Sequence, residues 1–203
     1  MEGIKNIIFD LGGVVLNIDF KKTEEAFTKL GFSELSKYMN QYHMESFYKD
    51  YEVGRIDDEK FIASISGMLP APKTDQEIVD AWNALLLDFP PERIEFLESL
   101  KDKYRLFLLS NTNAIHHREF HRRFTVQTGK ELDEIFEKTY YSHVLNLRKP
   151  GAEIYHVVIK ENGLVPSETL FIDDTETNFT GAHEAGLRTL HLKAPLTIQQ
   201  IGL

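Results

Sequence analysis

Ile4-Lys5-Asn6-Ile7-Ile8-Phe9-Asp10-Leu11-Gly12-Gly13-Val14-Val15 is an apolar run that ends on a carboxylate and then turns through two glycines. It reads as a buried β-strand that delivers Asp10 into a tight turn at a sheet edge. Open α/β sheets place their sites just beyond the carboxyl ends of the strands. A carboxylate at that position reads as a nucleophile or a metal ligand.

Four more short apolar runs follow: Tyr104 to Leu109, roughly Lys138 to Ser142, Thr169 to Ile172 and Arg188 to Leu192. The buried ones are continuous rather than alternating, as parallel strands covered on both faces are. Helical patterns run over Pro91 to Asp102, Gly151 to Asn162, which stops at Gly163, and Thr175 to Ala185, which stops at Gly186. The last two lie between strands, and that βαβ order predicts an α/β fold with a doubly wound parallel sheet. Phe124 to Glu137, interrupted by Gly129, fits neither pattern cleanly.

Residues 17–89 break the rhythm and read as helices throughout. Thr23 to Leu30 ends at Gly31, Ser33 to about Tyr48 follows, and Asp57 to Met68 comes after Gly54. Thr74-Asp75-Gln76-Glu77 has the spacing of a capping box and opens a helix that runs to about Leu87. The expected organisation is therefore a core made of residues 1–16 and 90–203, interrupted by a helical domain over 17–89.

The composition narrows the function. The chain has 203 residues, 42% hydrophobic and 27% charged, an ordinary globular balance. It has no cysteine, which excludes disulfides, zinc–thiolate sites and thiol nucleophiles. The net charge of −9 argues against nucleic acid as a partner. No apolar stretch is long enough to span a bilayer, and no leader pattern is visible at the N-terminus, so the expected location is cytoplasmic. The one basic cluster, His116 to Arg123, reads as a solvated helix face.

Other strand ends carry polar residues of a matching kind: Ser110-Asn111-Thr112-Asn113 after the second run, Arg148-Lys149-Pro150 after the third, and Asp173-Asp174 after the fourth. A parallel sheet brings them to one edge. The set suits phosphoryl transfer, in which a carboxylate must attack a dianion and cations must screen the repulsion. Asp10 and Asp174 can share a Mg²⁺ ion. Lys149 supplies a second positive charge, and Ser110 with nearby N–H groups can donate to phosphoryl oxygens. Asp10 would form an aspartyl-phosphate that water hydrolyses.

With these motifs in this order, the chain resembles the haloacid dehalogenase-like (HAD) hydrolase superfamily over its whole length, and residues 17–89 fall where that family carries its helical C1 cap. The resemblance implies Asp10 as nucleophile and Mg²⁺ ligand, the Gly12 carbonyl as a further ligand, Ser110 as a phosphoryl donor and Lys149 as the charge that orients Asp10. It implies Asp174 as a direct ligand and Asp173 as ligand or supporting partner, with Leu11, Gly12 and Asn111 around the phosphoryl group. Within the superfamily the pattern is similar to the bacterial sugar-phosphate phosphatases that include α-glucose-1-phosphate phosphatase. The implied substrate is a small phosphorylated metabolite, a sugar phosphate such as a sugar 1-phosphate.

One position departs from the family pattern. Its phosphatases carry a second aspartate two residues after the nucleophile, and here that residue is Gly12. General acid–base help is worth about 10²–10⁴-fold. An easily expelled leaving group would tolerate the loss, which is the preferred explanation. Asp19, His116 or His117 could substitute, or the protein could bind a phosphosugar with little turnover. A 2-haloacid dehalogenase using the same Asp10 is the alternative chemistry, and the Asp173-Asp174 pair argues against it. Selection among phosphates falls to the cap, with Asn17, Asp19 and Phe20 at its first hinge and Tyr48, Tyr51, Glu52 and Arg55 around Gly54 as candidate contacts. Phe47, Tyr48 and Tyr51 also have the i, i+3, i+4 spacing of a packed face, and at least two of the three read as cap core.

Overall fold

A computed structural model describes residues 2–33 and 44–203, with backbone alone for 44–46. Five strands, β1 (Asn6–Phe9), β2 (Arg105–Ser110), β3 (Lys138–Tyr141), β4 (Thr169–Asp173) and β5 (Arg188–His191), form one parallel sheet in the order β3-β2-β1-β4-β5. Each of the five apolar runs is a strand, with ends shifted by no more than two residues. From β1 the connections run outward to β3 on one side and through β4 to β5 on the other. The chain therefore reverses its winding beside β1, and a crevice opens at the carboxyl ends of β1 and its neighbours.

Side chains of successive strand residues point to opposite faces, which divides each continuous apolar run between two layers. Ile7, Phe9, Leu106, Leu108, Leu170 and Ile172 pack on one side. There they meet α5 (Pro91–Leu100), α6 (Ala114–Thr128) and α7 (Leu132–Ile135). Ile8, Phe107, Leu109 and Phe171 face α9 (Ala152–Asn162) and α10 (Phe179–Glu184) on the other side. The short α8 (Ser142–Leu145) follows β3 directly.

Between β1 and β2 the described residues form α1 (Phe20–Lys29), α2 (Met44–Glu52), α3 (Asp58–Ser66) and α4 (Asp75–Asn83). Phe27, Tyr51, Phe61, Ile78 and Trp82 from these helices share a separate core that reaches Ile115 on α6. Tyr51 and Phe47 both stack on Phe61, at 4.0 and 5.6 Å between ring centroids. The helix expected over Ser33 to about Tyr48 lies largely outside the described residues.

Several boundaries differ from expectation, and the helix expected from Thr175 begins at Phe179 after a 3₁₀ turn over Glu176–Asn178. The first helix begins at Phe20 because Asp19 caps it, accepting from the Lys21 N–H. The helix expected to reach Leu87 stops at Asn83, because the two linkers pair with each other. Asp19 N–H donates to Leu85, Leu87 N–H to Asn17, and Asn17 N–H to Asp88. The stretch around Gly129 is the end of α6: Gly129 adopts φ 72 and terminates the helix. Among the described residues no helix is long and apolar enough to cross a membrane.

Candidate active site

Asp10 leaves the end of β1 and Asp173 the end of β4, its neighbour in the sheet. Lys149 reaches between them, and its Nζ donates to Asp10 Oδ1 and to Asp173 Oδ2, each at 2.7 Å. Lys149 and Asp173 are almost fully buried, and Asp10 is 8% exposed. Burial alone would lower the Lys149 ammonium; the Asp10 and Asp173 carboxylates outweigh it and hold it above its ordinary value. For Asp10 the balance falls the other way: burial pushes it up to about 7, although Lys149 opposes the rise.

Each partner of this pair is held in place. Asp173 accepts from Thr175 N–H at 2.7 Å on Oδ1 and from Asn178 Nδ2 at 2.9 Å on Oδ2. With Lys149 added, its carboxylate is fully engaged. The Asn111 side chain grips the backbone of Lys149 from both sides, donating to its carbonyl and accepting from its N–H, both at 2.9 Å. The sequence placed Asn111 beside the phosphoryl group; it lines the same cavity, but its amide is spent on aiming Lys149.

Asp174 stands above the turn that follows Asp10. Gly13 has φ +75, and a Cβ there would lie 2.2 Å from Asp174 Oδ2. Only glycine allows this turn and the carboxylate to approach so closely. One ligand atom from each of Asp10, Asp173 and Asp174 lies within 4.8 Å of the others. Three carboxylates face one ammonium, so two negative charges are left without a protein cation among the described residues. Oxygen donors with surplus negative charge fit a hard divalent cation.

The crevice is a cavity of about 320 Å³ that also admits Leu11, Gly12 and Ser110. Ser110 is buried at the end of β2. The Gly12 position is confined, since a Cβ there would meet Ile18 Cδ1 at 3.0 Å. Tyr48 and Glu52 of α2 face the cavity, as does Arg148. Ser142 was not anticipated. Its buried hydroxyl lies 2.7 Å from the Glu52 carbonyl and accepts from Thr112 N–H at 2.9 Å, which ties α2 to the sheet edge. Its only sequence signal is a hydroxyl at the third strand end.

Several expected residues stand elsewhere. Asn17 donates to Asp88 at 3.1 Å and Asp19 caps α1; neither lines the cavity. Nor do Tyr51, Arg55 or His117. His116 reaches the cavity wall, but both ring nitrogens are occupied, by Asn113 Nδ2 and by the Trp82 carbonyl, each at 3.0 Å. Burial lowers it to about 4, so it is neutral and has no proton free for a leaving group. The basic cluster is accordingly only half a solvated face. Arg118 and Arg122 are exposed, whereas His116 and Phe120 are buried.

Residues 4–186 match the model of the haloacid dehalogenase-like hydrolase family. A D-ribitol-5-phosphate phosphatase of Bacteroides thetaiotaomicron is 32% identical over 186 residues, spanning 92% of this chain and 90% of that protein. A HAD family enzyme from the same organism superposes with a TM-score of 0.89 at 36% identity over 96% of each chain. Its structure with magnesium and inorganic phosphate gives a TM-score of 0.84 at 34% identity, over 95% of this chain and 96% of that one. The L-2-haloacid dehalogenase of Xanthobacter autotrophicus shares the fold, at TM-score 0.61 and 18% identity, over 93% of this chain and 77% of that one.

Proposed function

The chain belongs to the haloacid dehalogenase-like hydrolase family, and we propose that it is a Mg²⁺-dependent phosphatase that hydrolyses a small phosphorylated metabolite, a sugar or polyol phosphate, through Asp10. The observation that carries this reading is the bridge from Lys149 to both Asp10 and Asp173, with Asp174 poised over Gly13 beside it. The phosphatase relative and the magnesium and phosphate complex of a similar enzyme support it. The size of the cavity suits a small substrate.

Asp10, Asp174 and the Gly12 carbonyl would hold the cation, with Asp173 behind them. When bound, Mg²⁺ neutralises the surplus charge of the cluster and of the phosphoryl oxygens. Lys149 favours the ionised form of Asp10 against the effect of burial and orients its carboxylate. An Asp10 carboxylate oxygen attacks phosphorus, the bond from phosphorus to the ester oxygen breaks, and an aspartyl-phosphate forms. The departing oxygen takes its proton from water, because Gly12 offers none. Water then attacks phosphorus, releasing inorganic phosphate and regenerating Asp10. Ser110 and the backbone N–H groups of Leu11 and Asn111 donate to the phosphoryl oxygens. Residues 17–89 act as a cap that covers the cavity and excludes bulk water, over a core of 1–16 and 90–203.

Phosphate release from sugar 1-phosphates, sugar and polyol terminal phosphates, an aryl phosphate and a nucleotide tests this, each with Mg²⁺ and with EDTA. Metal-dependent release from the small esters is expected. No release from any of them would overturn the reading, and metal-independent halide release from a 2-haloacid would replace it.

A further inference from the structure

The helical segment does not close a core of its own. Its cluster of Phe27, Tyr51, Phe61 and Trp82 is completed by Ile115 of α6, a helix that packs on the sheet. The Trp82 indole stacks on the His116 ring at 5.2 Å and 12°, and the Trp82 carbonyl lies 3.0 Å from His116 Nε2. The Tyr51 hydroxyl accepts from Ile115 N–H at 3.2 Å and donates to Asp58 at 2.6 Å, and Asp58 pairs with Arg118 of α6.

The end of α2 is fastened at a second place. The Glu52 carbonyl lies 2.7 Å from the Ser142 hydroxyl, and the Val53 carbonyl accepts from Asn146 Nδ2 at 2.7 Å. Gly54 follows with φ +68, where a Cβ would lie 2.3 Å from the His143 carbonyl. The Glu52 side chain pairs with Arg148 at 2.9 Å. The second linker is held as well, since Arg123 donates to the Leu86 carbonyl and Phe89 N–H donates to Gln127 at 3.1 Å. Swinging the segment away from the sheet would break contacts to α6 and α8 together and bare the Trp82 ring to water. Contacts that must all break at once make the open form rare.

A path that avoids this break is already present. Among the described residues that line the cavity, the exposed ones are Phe20, Pro150, Asp174, Thr175 and Thr177. Glu52, Leu86 and Phe120 on the same cavity are buried. The mouth therefore opens beside the start of α1 and the turn after β4. Phe20 is the exposed side chain that the helical segment contributes to it, and 65% of its surface is open. Its backbone is fixed, because Asp19 caps α1 and donates its own N–H to Leu85.

We propose that the helical segment stays docked on α6 and α8 throughout turnover, that substrate enters through the fixed mouth lined by Phe20, Thr175 and Thr177, and that Phe20 limits the width of the ester admitted. The identity of the substrate rests on the phosphatase reading, whereas the docking does not.

The chain has no cysteine and a single tryptophan, so both can serve as unique probes. In an Asp58→Cys/Arg118→Cys protein, a short bis-maleimide joins α3 to α6 across the seam. Acrylamide quenching of Trp82 should agree within about twofold among wild type, the crosslinked protein and the same protein carrying two separate maleimides, and kcat and KM should agree as closely. A crosslink that abolishes turnover, or that lowers quenching severalfold, overturns the docking. Phe20→Ala should raise kcat/KM for a disaccharide 1-phosphate relative to a monosaccharide 1-phosphate by about tenfold, mainly through KM. An unchanged ratio removes Phe20 from the mouth. If the wild type releases phosphate from no ester, the phosphatase reading fails separately. The quenching comparison then still decides the docking, and calorimetric binding of the two esters with Mg²⁺ to wild type and to Phe20→Ala decides the role of Phe20.

Discussion

Two walls of one cavity differ in how their polar atoms are satisfied. On the sheet edge, Lys149, Asp173, Asn111 and Asn178 are closed into a network in which Lys149 Nζ and both Asp173 oxygens have partners. Where the helical segment meets that edge, Glu52 of α2 forms an ion pair at 2.9 Å with Arg148, the residue before Lys149, and the pair is less well aligned, since Arg148 Nε makes no hydrogen bond. The first arrangement is preorganised before any substrate arrives, as electrostatic catalysis requires. The second is a buried ion pair that joins α2 of the helical segment to the core beside Lys149. The network is confined to the sheet edge, and the ion pair is what links that edge to the helices.

The largest effects should fall on the sheet edge, and they should separate turnover from stability. Asp10→Asn should cut kcat by roughly 10⁴-fold or more, because no other group replaces a covalent nucleophile. The same substitution should leave folding stability unchanged or raised. Asp10 is a buried carboxylate whose ionisation is already disfavoured by desolvation, and asparagine removes that burden. Urea unfolding with phosphate-release kinetics checks both halves. Retained turnover would refute the nucleophile.

Lys149→Met should lose turnover and also stability, by about 3–5 kcal/mol, because it strands Asp10 and Asp173 as buried charges without their shared ammonium. A stable Lys149→Met protein would mean that the network is softer than its hydrogen bonds indicate, and the contrast between the two walls would shrink.

The part of this contrast that could be read in the sequence is the part carried by strand ends. Asp10, Ser110 and Asp173 each close an apolar run, so a parallel sheet necessarily gathers them, and no knowledge of packing was needed. The roles of Asn111, Ser142 and Arg148 depend on partners 38, 90 and 96 residues away, counting from Asn111 to Lys149, from Ser142 to Glu52 and from Arg148 to Glu52. Periodicity reports which face a residue occupies and is silent on what stands opposite. Asn17 and Asp19 show the same limit in reverse. Their place at the hinge suggested contact with substrate, but the hinge needs them for its own hydrogen bonds. Tyr48 and Tyr51 shared one helical spacing, and only the fold separates the cavity-facing ring from the buried one.

Where the helical segment meets the core, His116 gives a pH-dependent prediction. It stacks on Trp82 at 5.2 Å and 12°, and burial lowers it to about 4, from an ordinary value of 6.5. The unfolded chain therefore binds a proton that the folded chain refuses between those values, and stability falls as pH drops from 6.5 toward 4. Between pH 7 and pH 5 the loss from this residue should be about 2 kcal/mol. His116→Gln should flatten the urea-unfolding profile over that interval by about this amount. An unchanged slope would mean that the imidazole is more open to water than its two hydrogen bonds suggest.

The smallest effect tests whether the two walls belong to one cooperative unit. Thr74 and Glu77 form a reciprocal capping box at the start of α4, on the exposed side of the helical segment and away from the cavity. Thr74→Ala should cost about 1 kcal/mol. If the Trp82–His116 stack and the paired linkers couple the helices tightly to the sheet, that loss appears in global unfolding, and amides in β1 and in α4 lose protection together. If the helical segment opens by itself, protection falls in α4 while β1 is unaffected. The second outcome would make cap opening a separate equilibrium. The Glu52–Arg148 ion pair, which spans the two parts, would then contribute to the free energy of closing the cap.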